Sequence, residues 1–147
     1  MTSRPLPSRL LLLTAAGLLV AIAGLVYLRD PAWLLRTESG FGPWEVDQNG
    51  THFRWMGGHA SFFVPSDAPG VTIPLRTTFN QGDRPIVVSI SIDDRSVDRV
   101  ELTDGDWRHS RVQMPPRGTR RVCRIDIRAD RTRTGNRAVQ VGEIQVR

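Results

Sequence analysis

The sequence predicts an all-β protein, an antiparallel β-sandwich of jelly-roll type with about nine strands, preceded by one transmembrane helix. Three observations carry this. Nineteen consecutive residues, Leu10 to Leu28 (LLLLTAAGLLVAIAGLVYL), hold no charge; at about 1.5 Å per residue they span roughly 28 Å as a helix, close to the ~30 Å hydrocarbon core of a bilayer. No stretch beyond Leu28 keeps a helical period. Short alternating apolar runs recur instead, roughly every 8–12 residues, separated by Asp, Gly and Pro turns.

The elements follow in order. Residues 1–9 form a short leader with Arg4 and Arg9, expected on the cytoplasmic side; residues 10–28 are the span, an uncleaved signal anchor. A cleaved signal peptide is the rival reading, because Ala21-Ile22-Ala23 has the small-x-small form of a cleavage site. The apolar run continues past it through Leu25, Val26, Tyr27 and Leu28, longer than a typical signal core. The charge bias across the helix is slight, and with the short leader it orients the C-terminal domain outside the cytoplasmic membrane. Residues 29–43 read as a juxtamembrane connector broken by Pro31, Gly40, Gly42 and Pro43, with one helical turn expected over Ala32 to Arg36.

The sandwich is expected over residues 44–147. In WEVDQNGTHFRWM, Asn49-Gly50 suits the left-handed positions of a tight hairpin. Period-2 reading turns Phe53 and Trp55 into the core, and sets Glu45 and Arg54 on neighbouring strands for a cross-strand ion pair. ASFFV is a further short strand. Val71, Ile73, Leu75, Thr77 and Phe79 share one face of the next; Pro74 lacks an N–H, so that strand lies at an edge or carries a bulge. Ile86, Val88, Ile90 and Ile92 point inward before an Asp93-Asp94 turn, and Asp104-Gly105-Asp106 makes another. Cys123, Ile125, Ile127 and Ala129 alternate with Arg124, Asp126 and Arg128, and AVQVGEIQV closes the sheet with a bulge near Gly142. Cys123 is the only cysteine. It excludes an intramolecular disulfide and reads as a small buried hydrophobe.

Catalytic and cofactor signals are weak. No P-loop, G-x-S-x-G elbow or dinucleotide fingerprint is present, and no cofactor is expected. His52, His59 and His109 lack metal-ligand spacing. Asp93, Asp94, Asp104 and Asp106 would meet around calcium only if their turns adjoin, without the ordered spacing of a calcium loop. Asn49-Gly50-Thr51 matches a glycosylation acceptor, but the hairpin turn is the preferred account of it. All twenty basic residues are arginine, and they are unevenly placed. Residues 30–107 hold six arginines and twelve acids, a net of −6; residues 108–147 hold eleven and three, a net of +8. Arg117, Arg120, Arg121, Arg131 and Arg133 are the candidates for contact with an anionic surface, although pairing with the acidic half is the simpler account. No aromatic residues interleave them, and nucleic acid is not an expected partner.

The segments GFGPWE, FRWMGGHASFFVP, VSISIDDRSV and DWRHSRVQMP resemble the carbohydrate-binding-module-like jelly rolls of bacterial envelope proteins, some attached to membrane-bound glycosyltransferases. The resemblance spans residues 40–147 and rests on Glu45, Phe53, Arg54 and Trp55. It implies the fold far more than a role, and the missing catalytic motifs are what point to a non-catalytic module. The expected function is therefore binding of envelope polysaccharide or glycolipid, with Trp44, Glu45, Arg54 and Trp107 as ligand-binding residues and the bilayer holding residues 10–28. The alternative is an accessory subunit docked on a membrane protein such as a glycosyltransferase.

Overall fold

The computed structural model describes residues 8–78, 84–103, 105–116, 120–132 and 137–147. The expectations for residues 1–7 and for Phe79, Asp104, Arg117 and Arg133 lie outside these. The chain divides after Trp33 into two units.

The first unit is helix α1, Ser8–Arg29, long and apolar enough to cross a membrane. Every side chain described from Leu11 to Arg29 is exposed, so no protein core covers the leucines. The Asp30 N–H still reaches the Val26 carbonyl at 3.4 Å, but Pro31 has no N–H to continue the ladder. A 3-10 turn follows at Ala32–Arg36, where a helical turn was expected.

The second unit is an antiparallel sandwich of nine strands: β1 (Glu38–Val46), β2 (His52–Pro65), β3 (Gly70–Arg76), β4 (Ile86–Ile92), β5 (Arg95–Leu102), β6 (Arg108–Gln113), β7 (Val122–Ala129), β8 (Val139–Gly142) and β9 (Gln145–Val146). Its two layers are one hydrogen-bonded sheet curled into a half-barrel, in the order β5-β4-β7-β2-β8-β3-β6. β1 pairs with β2 and β9 with β3. The two ends of the path approach each other, where the Ser110 hydroxyl of β6 donates to the Asp98 carboxylate of β5.

β2 belongs to both layers. Its residues Phe53 to Met56 pair with β8, and His59 to Pro65 pair with β7. Gly57-Gly58 stands between the two sets, so the strand turns the corner where bulky side chains are absent. β1 starts at Glu38, within the stretch expected as connector, and runs along β2 with two irregularities. Gly40 makes one of them possible: its φ is +79°, and a Cβ there would lie 2.1 Å from the His59 carbonyl oxygen.

The core is built by period-2 faces. Met56, Ala60 and Val64 of β2 meet Val71, Ile73 and Leu75 of β3; Val88 and Ile90 of β4, Ile125 and Ile127 of β7, and Val139 and Val141 of β8 complete it. Each is at most 2% exposed. At about 25 cal/mol per Å² of apolar surface removed from water, this burial is the main favourable term in folding. Cys123 lies in the same core, as expected.

Pro74 is accommodated by a bulge and not by an edge. β3 has β6 on one side and β8 and β9 on the other. Between the paired positions Val141 and Gln145 lie Gly142, Glu143 and Ile144, against only Ile73 and Pro74 on β3. Three residues oppose two, which interrupts the ladder where proline has no hydrogen to donate.

Candidate functional site

The β1–β2 hairpin sets the geometry of the site. Its turn is one residue longer than a two-residue type I′ loop. The Gly50 N–H donates to the Asp47 carbonyl at 2.9 Å, and the Asp47 N–H to the Thr51 carbonyl at 3.0 Å. Gly50 has φ +78°, whereas Asn49 is not left-handed, so the loop is Gln48-Asn49-Gly50 with glycine at the bulge. The Asp47 carboxylate accepts from the N–H groups of Thr51 and Asn49, both at 2.9 Å. The Thr51 bond is the largest influence holding this carboxyl below the ordinary carboxylate range; the Asn49 N–H and the Arg76 guanidinium act in the same direction, against partial desolvation.

The register decides which residues share a face. Trp44 stands opposite Arg54, Arg54 opposite Val141, and Val141 opposite Leu75: this is the core side. Glu45 stands opposite Phe53, and Phe53 opposite Gly142, on the outward side. Two expectations are corrected here. Glu45 and Arg54 point to opposite faces and form no pair: Arg54 bonds Glu38, and Glu45 lies 4.0 Å from Arg137. Trp55 is not core; the same alternation that buries Met56 turns Trp55 outward, where it is half-buried.

Arg54 is the buried cation of the core side, 5% exposed. Its guanidinium carbon lies 3.8 Å from the centroid of Phe41 and 4.7 Å from that of Trp44, so the two rings enclose it. Its Nε is buried without a hydrogen-bond partner. Trp44 is 50% exposed, yet one side of its ring is occupied by Arg54.

On the outward face, aromatic rings and guanidinium groups alternate across the strands. Arg137 lies 5.3 Å from the Trp55 centroid. Trp55 meets Phe53 edge-to-face at 6.1 Å. Arg76 lies 5.7 Å from Phe53 and 4.4 Å from Trp107. Arg76 is fixed by Asp47 at 3.0 Å and by Gln140, which accepts from its Nε at 2.7 Å. Gly142 lets Trp107 lie low, since a Cβ there would be 3.0 Å from the Pro74 Cβ and 3.4 Å from Trp107 Cζ3. The Trp107 Nε1 is buried without a partner.

Three clefts follow this band. One of about 350 Å³ is lined by Glu45, Trp55 and Arg137; one of about 370 Å³ by Asp47, Phe53, Arg76 and Gln140; one of about 330 Å³ by Trp107, His52, His109 and Glu143. Stacking faces beside paired charges and amides can hold a flat, polyhydroxylated ring: the rings take its C–H face and the polar groups its hydroxyls.

The residues expected to bind therefore separate. Glu45 and Trp107 lie on the band, at opposite ends; Trp44 and Arg54 lie on the core side of the same hairpin. Phe53, Trp55, Arg76 and Arg137 complete the band and were not assigned to a site by the sequence. Of the expected anionic-surface residues, the described ones are Arg120, Arg121 and Arg131. Arg131 donates to the Pro85 carbonyl at 2.6 Å, whereas Arg120 lines a separate cleft of about 310 Å³ with Arg95, Asp93 and Pro115, and Arg121 is exposed. Among the described residues, no group of three His, Cys, Asp or Glu side chains could hold a metal ion. Asp93 instead accepts the Arg124 N–H at 3.0 Å, and Asp126, 1% exposed, takes His59 and Arg124 at 2.6 Å each.

No protein-family model and no curated protein matches this chain. Solved structures do. A family two carbohydrate esterase from Clostridium thermocellum, in complex with cellohexaose, is 7% identical at a TM-score of 0.50, over 76% of this chain and 31% of that one. A family two carbohydrate esterase from Cellvibrio japonicus is 12% identical at 0.49, over 74% and 30%. The carbohydrate-binding module CBM51 from Clostridium perfringens, in complex with methyl-galactose, is 11% identical at 0.49, over 77% and 94%. The chain thus spans about 30% of the length of the two esterases. At these identities the likeness is one of fold.

Proposed function

We propose that this chain is a membrane-anchored, non-catalytic module that binds an envelope saccharide on the outward face of the β1–β2–β8–β3 layer. The observation that carries the reading is the band of Trp55, Phe53 and Trp107 interleaved with Arg76 and Arg137. It sets the half-buried rings of Trp55 and Trp107 beside guanidinium groups and over the buried ring of Phe53, so that ring edges and charged donors reach the surface together. The fold itself is shared with about 31% of a carbohydrate esterase chain. Helix α1 supplies the anchor, with the β-domain on the extracytoplasmic side of the cytoplasmic membrane.

The test uses the full chain in lipid nanodiscs, which avoids detergents with sugar headgroups. Extracted envelope polysaccharides are titrated while tryptophan emission is followed. A saturable change that is lost in Trp55→Ala, with the melting transition retained, is the expected result. Undiminished binding in both Trp55→Ala and Trp107→Ala would remove the site.

A further inference from the structure

We propose that the ligand of this face is an uncharged, linear oligosaccharide lying across the strands, with one sugar ring on Trp55 and a later ring on Trp107; the proposal rests on the saccharide-binding reading above. Two independent features carry it.

The first is span. Trp55 of β2 pairs with Gln140 of β8, and Gln140 with Arg76 of β3. Trp107 directly precedes Arg108, the β6 partner of Leu75, and its ring lies 4.4 Å from Arg76. The Trp107 ring reaches back over Gly142 of β8, the partner of Phe53, so the two rings stand about one strand spacing and two residues apart, roughly 8 Å. One pyranose ring, no wider than an indole, reaches only one of them. The three clefts lie in series along the same line, and Phe53 and Arg76 line the middle one. Gly142 keeps a side chain out of the path beside Trp107.

The second is charge. The clefts present two arginines, Arg76 and Arg137, against three carboxylates, Glu45, Asp47 and Glu143. Each arginine already has its own acid, Arg76 with Asp47 at 3.0 Å and Arg137 with Glu45 at 4.0 Å. A uronate would have to displace one of these carboxylates or sit beside it. Hydroxyl groups can instead donate to Glu45 and accept from Arg137 without breaking the pair.

The experiment is calorimetric titration of the full chain in nanodiscs with linear neutral series of one to six sugars (cello-, manno- and galacto-oligosaccharides) and with oligogalacturonates of equal length. The expected result is affinity for at least one neutral series that rises about tenfold or more as the chain grows long enough to bridge both rings. The oligogalacturonates are expected to bind more weakly at every length. Trp107→Ala should flatten the length dependence while leaving short-chain binding on Trp55. The wild-type length profile is decisive by itself if that variant fails to fold. Equal affinity for one sugar and six, or preference for oligogalacturonate, overturns this inference and leaves the saccharide reading standing. Absence of binding to every series and to extracted polysaccharide overturns both.

Discussion

Arg76 offers the sharpest test of how the outward face is held. Replacing it with alanine removes a charged donor from Gln140, which is 5% exposed and would keep a buried acceptor without a partner. A hydrogen bond to a charged group is worth about 1.5–3 kcal/mol. The two ring contacts, at 5.7 Å and 4.4 Å, add about 0.5–1 kcal/mol each where they are partly exposed. The Asp47 contact is left out of the sum because the cost of taking both charges out of water offsets its attraction. Neighbouring contributions overlap, so the expected loss is about 3 kcal/mol. For a domain of this size that is a fall of about 12 °C in Tm, at roughly 4 °C per kcal/mol. Thermal unfolding of the full chain, followed by tryptophan emission, reads it directly. Arg76→Lys keeps the charge and loses the planar fork, and should recover only part of the loss. A fall of less than about 4 °C for Arg76→Ala, corresponding to about 1 kcal/mol, would mean that Arg76 lies on the rings without bracing them.

Two further outcomes follow from the turns. Asp47 has its carboxyl lowered in the folded state, so its contribution to stability is present above the ordinary carboxylate range and lost as pH falls through the folded-state value. Acid titration of unfolding should therefore show a smaller loss in Asp47→Asn than in the wild type, and parallel curves would refute the assignment. Gly40→Ala combines a left-handed backbone with a Cβ only 2.1 Å from the His59 carbonyl; a loss of about 3 kcal/mol or more in chemical denaturation is expected, and a loss below about 1 kcal/mol would show that β1 shifts freely at this point.

Much of the fold is legible in the sequence, because its strands carry their alternation openly. Ile86 to Ile92 read correctly, residue by residue, as do the inward Cys123, Ile125 and Ile127, the Asp93-Asp94 turn and the bulge near Gly142, whereas Asp126, read as polar face, is buried. The face of Trp55 does not. Read as a short strand ending before Gly57-Gly58, FRWM gives two large apolar residues at Phe53 and Trp55, and size alone assigns these to the inner face. Read as one strand through the glycines, the parity is set by Ala60, Phe62 and Val64, and Trp55 falls with His59 and Ser61 on the outside. The signal was present, but it lay beyond a glycine pair that looks like a break and serves as a corner. Arg76 and Arg137 were legible only as surface arginines, since nothing local says that one belongs beside Trp107 and the other beside Trp55. Those contacts come from strands distant in sequence, and only the sheet order brings them together.

The sharing of β2 between the two layers also has a consequence in time. On the path β5-β4-β7-β2-β8-β3-β6, only β4 and β5 are both neighbours in space and consecutive in the chain; β1 joins β2 as the other local hairpin. A chain emerging from its N-terminus can close those two hairpins early. It then waits, because beyond β1 one half of β2 has no second partner until β7 is made, and the other half none until β8 is made. Neither layer can finish ahead of the other by more than the interval between those two strands, so the domain should gain its protection from proteases late and in one step.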